Sequence, residues 1–400
     1  MSRPAGTLEG KCIAFFHQSA ELYGSDRVLL DLACAVQAEG GTAVVLLPYS
    51  GPLTEAFAQR GIAFHVLPVV KLTRAHLSIQ GLFQLAGEAL TCLGRYDRIF
   101  SDRTVHLVHS NTLAVLGGAL WAKRRHLAHL WHVHEIMVSP RIAAYGFPRL
   151  VNALADHVVC NSNATLAWMH SVQPRLGAKM RVIWNGVPAP VVNDSSAVAQ
   201  LRLQYRPQGV RLAVGLLGRI NRLKGHDVLI DAAELLHHQG VRDFSLVLIG
   251  SPPPGQDTFL LQLQQRIRQS PLRERIVLQD FTANVWPSYA ALDIVCVPST
   301  EPESFGLVAA EAMAAARPVI ASNIGALGEI VEDGATGFTV PPRDAQALAA
   351  SLLTLLNSEA LRQQMGLSGA HRMQSQFSMR RMKERLLRCY AEALSNGHRP

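Results

Sequence analysis

The stretch Pro298-Ser-Thr-Glu-Pro-Glu-Ser-Phe-Gly-Leu-Val-Ala-Ala-Glu-Ala-Met-Ala-Ala-Ala-Arg-Pro-Val-Ile-Ala-Ser322 decides the architecture. It runs from a strand end through a loop into a helix of small and apolar residues, and then into a second strand that Pro318 opens. Strand, loop, helix and next strand make the βαβ unit of a parallel sheet. Gly306 and Leu307 fall at the helix start, where unpartnered N–H groups and the positive dipole end receive a phosphate. Glu303 precedes that helix in the loop, and Glu311 lies on its second turn. A carboxylate on each side of an anion-binding helix start suits a nucleotide sugar, whose hydroxyl-rich rings flank a diphosphate. Two glutamates so spaced are commonplace as solvated surface charges. The loop and helix around them are what point to a site.

Outward from this unit the same alternation fills the chain. Apolar runs predict strands near 212–217, 244–249, 275–278, 293–297, 318–321 and 337–340, with helices near 226–237, 257–269, 306–316 and 344–357. The first half repeats the pattern, with strands near 12–16, 42–47, 63–66, 106–109, 128–133, 157–160 and 181–183. Between the first two of these, Val28, Leu29, Leu32, Ala33 and Val36 share one helical face, and Ser25 stands at the N-cap position. Pro188 to Ser196 lacks periodic apolar residues and reads as a linker. The expected organisation is α/β: a Rossmann-like domain at 1–187, a second at 188–376, and a basic amphipathic helix within 377–400. Doubly wound domains bind ligands outside the carboxyl ends of their strands, so two that face each other would make a cleft with two ligand surfaces.

Composition narrows the classes. Of 400 residues 48% are hydrophobic and 17% charged, which excludes a disordered chain or a coiled coil. The longest apolar run, Leu113 to Ala122, falls well short of the roughly 20 residues that cross a bilayer. Cys12 to Phe16, the first apolar run, is too short for a secretory h-region, which argues against export. Six scattered cysteines without CxxC spacing read as reduced core thiols. Residues 1–187 hold 17 Lys/Arg against 11 Asp/Glu, so +6 of the chain's net +8 lies in the first half. That excess suits an anionic partner or merely a soluble basic surface. With 6% aromatics and no reader motif, nucleic acid is excluded as the partner.

Three further segments carry chemistry. In Leu216-Leu-Gly-Arg-Ile-Asn-Arg-Leu-Lys-Gly-His226, Gly218 lets the chain turn after a strand, and Arg219 and Lys224 then supply two cations for a diphosphate. In Tyr23-Gly-Ser-Asp26, Gly24 permits a close backbone approach to a ligand. In Leu130-Trp-His-Val-His-Glu-Ile136, period two puts His132 and His134 on one side of a strand, placed to donate a hydrogen bond or move a proton. A metal is the competing reading there, since Glu135, His126 and His129 are near in sequence. No Asp-x-Asp occurs to support it.

These residues, with Val108-His-Ser-Asn111, Trp184-Asn-Gly-Val187, Pro318-Val-Ile-Ala-Ser322 and Gly328-Glu-Ile-Val-Glu-Asp-Gly-Ala-Thr-Gly337, resemble the retaining nucleotide-sugar glycosyltransferases of family 4, over nearly the whole chain. The resemblance implies a GT-B fold and sugar transfer to a hydroxyl of a glycan or lipid-linked acceptor, in cell-surface polysaccharide or lipid-linked oligosaccharide synthesis. It implies that Glu303 binds the donor sugar and Glu311 the ribose. Arg219 and Lys224 would hold the diphosphate with the amides of Phe305, Gly306 and Leu307, Gly24 and Ser25 would line the donor from the first domain, and His134 would stand beside the anomeric carbon. It implies no metal and no other cofactor, a cytoplasmic location, and a last helix that crosses back to the first domain. Lys123-Arg-Arg125, with Lys71 and Arg74 near the apolar Leu77 to Leu85 segment, is the expected contact with an anionic membrane surface.

The chain departs from the family's pattern in three places. Asn323-Ile-Gly-Ala326 stands where relatives often have paired glycines, Ala315-Ala-Arg317 where a glycine usually precedes the proline strand, and Gln279-Asp-Phe281 where Gly-Phe or Gly-Tyr is usual. The alternatives are an epimerase-like GT-B enzyme and a non-catalytic nucleotide-sugar or polyanion-binding protein. The paired glutamates argue against the first, and the retention of every proposed functional group against the second.

Overall fold

The computed structural model describes residues 8–396 apart from Tyr23, Asn193, Pro254 and Ala283, and apart from the side chains of Arg74, Leu77, Ile79 and Asn396. The chain forms two compact units, one running to Gly186 and resuming at Arg380, the other Val187–Met379.

In the first unit seven parallel strands form one sheet: Cys12–His17 (β1), Thr42–Leu47 (β2), Ala63–Val66 (β3), Leu107–Asn111 (β4), Ala128–Val133 (β5), His157–Cys160 (β6) and Met180–Val182 (β7). Their order is β3-β2-β1-β4-β5-β6-β7, so the winding reverses between β1 and β4. That reversal opens a crevice at the strands' carboxyl ends, where ligands of doubly wound sheets bind. Every residue of β1 is buried, as expected of a strand covered on both faces. Phe16 of β1 packs with Tyr96, Phe100 and Trp121 on one face of the sheet, and the Trp121 indole donates to Asp97 Oδ1 at 2.9 Å.

The register brings polar residues into one row. His17 lies opposite Asn111, and Asn111 opposite His132. The helix after β1 is Gly24–Ala38, so Ser25 lies within its first turn rather than at the N-cap the sequence suggested. A further helix, Met379–Asn396, belongs to this unit from Arg380 on. Its Tyr390 hydroxyl is 2.7 Å from His109 Nδ1, its Lys383 pairs with Asp31 at 3.2 Å, and its Glu392 pairs with Arg181.

In the second unit six parallel strands make the sheet: Leu212–Leu217 (β8), Phe244–Ile249 (β9), Ile276–Gln279 (β10), Ile294–Val297 (β11), Val319–Ser322 (β12) and Gly337–Val340 (β13). Their order, β10-β9-β8-β11-β12-β13, reverses between β8 and β11. The segments after those two strands, Gly218 to Gly225 and Pro298 to Gly306, therefore flank one switch point. At the unit's edge the Val187 N–H donates to the Phe377 carbonyl at 2.8 Å, so the chain's entry and exit run side by side. Ala316, within one of the three departures from the resembled family's pattern, has φ 56°, a left-handed conformation that disfavours a side chain. All six cysteines are free thiols, and five of them are buried.

Candidate active site

In the second unit the two loops at the switch point are laced together. The Thr300 N–H donates to the Leu223 carbonyl at 2.9 Å, and its hydroxyl to that of Arg222 at 3.0 Å. Gly225 makes the approach possible: its φ is +70°, and a Cβ there would stand 1.9 Å from the Pro298 carbonyl oxygen. The lacing carries Lys224, at the end of the short 3₁₀ turn Arg222–Lys224, onto Glu303. Lys224 Nζ donates to Glu303 Oε1 at 2.6 Å, and the Ser299 hydroxyl donates to the same oxygen at 2.5 Å. Their side chains are 23% and 16% exposed, so the pair keeps an open side.

Lys224 and Glu303 are one ion pair rather than two separate groups, and an ammonium with three N–H bonds can hold Glu303 and an anion together. Arg219, exposed, follows Gly218 at the end of β8.

Past Glu303 the chain is pinned to the loop after β12. Glu303 bridges Gly325, and the Ala326 N–H donates to the Glu303 carbonyl at 2.8 Å. Gly306 then caps the helix Leu307–Ala314 at φ 90°, where a Cβ would meet the Leu327 side chain at 2.6 Å. The first N–H groups of that helix, around Gly306 and Leu307, have no carbonyl within the helix to bond. Phe305 is buried against Phe377, with ring centroids 6.2 Å apart, which anchors the turn. Glu311 is also buried and accepts from the Tyr289 hydroxyl at 3.0 Å. Burial and the adjacent Glu311 push the Tyr289 phenol well above its usual range, so it stays a donor. Gln279, a departure from the family pattern, accepts from the Tyr205 hydroxyl at 2.9 Å, while Phe281 is exposed.

In the first unit β5 ends at Val133, so His134 lies one residue beyond the strand. It still stands over His132, with ring centroids 4.0 Å apart. His134 Nε2 is 2.8 Å from Asn111 Oδ1. Burial first, then the neighbouring His132 and His17, holds its pKa well below the ordinary histidine value, so the ring is neutral. Glu135 accepts from the backbone N–H groups of Leu113 and His134, at 3.1 and 3.2 Å, and burial pushes its carboxyl up to about 7. His126 is exposed beyond the helix Gly117–Arg125, and His129 Nε2 is 2.9 Å from the Ser110 hydroxyl. The metal reading thus finds no cluster of three ligands among the described residues. Gly24 and Ser25 stand in the first turn after β1, beside Asp26, and the Tyr23 of their motif lies outside the described residues.

Sequence reasoning missed Ser299, Tyr289, His17 and Asp26, and gave Asn111 no role. His17 and Asn111 are polar residues ending apolar strands, which is the signal that marks them. Of the basic residues set against a membrane, Arg124 and Arg125 approach Asp97 at 2.9 and 3.8 Å, Lys71 bridges Val115, and the Arg74 side chain is outside the described residues. No helix among the described residues is long and apolar enough to cross a membrane.

Residues 23–189 match the model of Glycosyltransferase Family 4, and residues 211–358 that of Glycosyl transferases group 1. A D-inositol 3-phosphate glycosyltransferase of Salinispora tropica is 31% identical over 335 residues, 78% of this chain and 67% of that protein. Among solved structures, Anabaena Alr3699/HepE in complex with UDP-glucose superposes with a TM-score of 0.79 at 24% identity, over 95% of this chain and 99% of that one. A glycosyltransferase from Rickettsia africae superposes at 0.81 with 22% identity, over 96% and 99%.

Proposed function

The chain belongs to the glycosyltransferases of group 1 and family 4 and has their GT-B fold, and from that membership we propose a retaining, metal-independent transfer of a sugar from a nucleotide-sugar donor to a hydroxyl of a glycan acceptor. The observation that carries this is the Lys224–Glu303 pair at the helix start of Gly306, with Glu311 buried on the same helix. A diphosphate set there meets the Lys224 ammonium, the Arg219 guanidinium and the first-turn amides, which stabilise the charge it gains on leaving. Glu303 accepts from the donor sugar's hydroxyls and Glu311 from the ribose. As the bond from anomeric carbon to phosphate oxygen breaks, the acceptor oxygen bonds to the same face, and its proton passes to the departing phosphate. No protein nucleophile takes part. We assign His134, in the first unit, to the reacting centre. HepE, whose structure holds UDP-glucose, supports a uridine nucleotide as the first donor to test.

The acceptor we propose is a glycan or lipid-linked intermediate of a cell-surface polysaccharide, reached by peripheral binding at the cytoplasmic membrane. Leu82, Phe83 and Leu90, 55%, 76% and 75% exposed on the helix Ile79–Ile99, support such a contact. The similarity to D-inositol 3-phosphate glycosyltransferases favours a second reading, a small phosphorylated polyol as acceptor. Thermal-shift measurement with UDP-, GDP- and ADP-sugars tests the donor, since a ligand that binds only the folded state raises its melting temperature. Failure of every nucleotide sugar to do so would refute the assignment. Product analysis with each acceptor class then separates the two readings.

A further inference from the structure

The buried polar row at the ends of β1, β4 and β5 fixes where the proton on His134 sits. Asn111 occupies its centre. One of its Nδ2 hydrogens points to the Ser25 carbonyl at 3.2 Å, and the other to His17 Nδ1 at 3.0 Å. A backbone carbonyl only accepts, so the amide nitrogen must face Ser25. The amide oxygen is then turned to His134 Nε2, 2.8 Å away. An amide oxygen donates nothing, so Nε2 carries the hydrogen. In a neutral imidazole the other nitrogen, Nδ1, is left with the lone pair.

We infer that Asn111 is a positioning residue that holds His134 as the Nε2–H tautomer, so that His134 meets the substrate through Nδ1 as a hydrogen-bond acceptor. This rests on the assignment of His134 to the reacting centre made above. It sharpens the expected role: a neutral Nδ1 accepts from a sugar or acceptor hydroxyl and donates no proton.

The row continues behind Asn111 and holds it. His17 Nδ1 accepts from the Asn111 amide, which leaves His17 Nε2–H to donate to Asp26 Oδ1 at 2.6 Å, both residues being buried. The backbone carbonyl oxygen of Asn111 also lies 3.3 Å from His17 Nδ1, but the contact with Ser25 by itself orients the amide, so the tautomer of His134 does not depend on His17. Burial beside His132 and His17 keeps His134 neutral, as the argument requires.

The test is a long-range proton–nitrogen NMR spectrum of the full chain labelled with ¹⁵N in the histidine rings, with His134→Gln used to assign the signals. The expected result for His134 is a protonated-type resonance at Nε2 and an unprotonated-type resonance at Nδ1. In Asn111→Leu the preference should be lost, with kcat down on the order of tenfold and the donor KM changed far less. A wild-type spectrum with the proton on Nδ1, or an unchanged His134 tautomer in Asn111→Leu, overturns the inference. The expected tautomer alongside full activity of His134→Gln would instead overturn the placement of His134 at the reacting centre.

Discussion

Breaking the Lys224–Glu303 pair gives the most direct test of how the second unit is built. At 2.6 Å the bare attraction is about 6 kcal/mol for an effective dielectric near 20. Desolvation of both groups returns most of it. Fully exposed pairs contribute about 0–1 kcal/mol and hydrogen bonds to charged groups about 1.5–3. With side chains 23% and 16% exposed, this pair falls between, and a coupling of about 1–2 kcal/mol is expected. The lower half of that range is favoured because Ser299 still donates to Glu303 Oε1 when the lysine is gone. The assay is a double-mutant cycle of Lys224→Met and Glu303→Gln in urea, followed by pulsed amide hydrogen exchange of peptides from the second unit. A coupling below about 0.5 kcal/mol, the margin within which independent sites add, would refute the pairing. Repeating the cycle in kcat/KM separates structure from chemistry. The Lys224→Met loss should exceed its stability cost, because the same ammonium is asked to hold the diphosphate.

Glu303→Ala should slow turnover by about 2–4 kcal/mol of barrier, whereas Glu311→Ala should raise the donor KM more than it lowers kcat; wild-type constants in both would remove the donor-site assignment. Transfer should survive EDTA, and a loss that magnesium or manganese restores would show that a cation does what is assigned to Lys224 and Arg219. Ala316→Gly should raise stability by about 1 kcal/mol, since glycine accepts a φ of 56° without strain; an unchanged or lowered melting temperature would show that the strain is already relieved. Co-sedimentation with anionic vesicles should occur at low salt and fade as salt rises, and equal absence from anionic and neutral vesicles would favour the small soluble acceptor.

The strands were legible because both sheets are covered on two faces, which turns each strand into a nearly continuous apolar run. The reading is good to the residue for β2, β3, β5, β6, β8, β9 and β13. It fails at β4, placed at 106–109 and found at Leu107–Asn111. Hydropathy ends that strand one residue past its last apolar residue, Val108, but register with β1 and β5 carries it on through Ser110 and Asn111. Both are fully buried, a placement that requires partners for their polar atoms. Ser110 finds His129, and Asn111 finds His17, Ser25 and His134.

The same reason divides the site into a legible and an illegible part. Glu303, Gly306 and Glu311 stand within one loop and helix, so their spacing carries their geometry. Lys224 meets Glu303 only because Gly225 admits the Pro298 carbonyl, a contact between loops that no local pattern encodes. His17, Asn111 and His134 come together only through the register of three strands. A polar residue that ends an apolar run is dropped when strands are trimmed by hydropathy, yet in a doubly wound sheet that position faces the ligand crevice. Keeping such residues, and asking which adjacent strands would set them side by side, would have brought His17 and Asn111 forward as candidates before any coordinates were known.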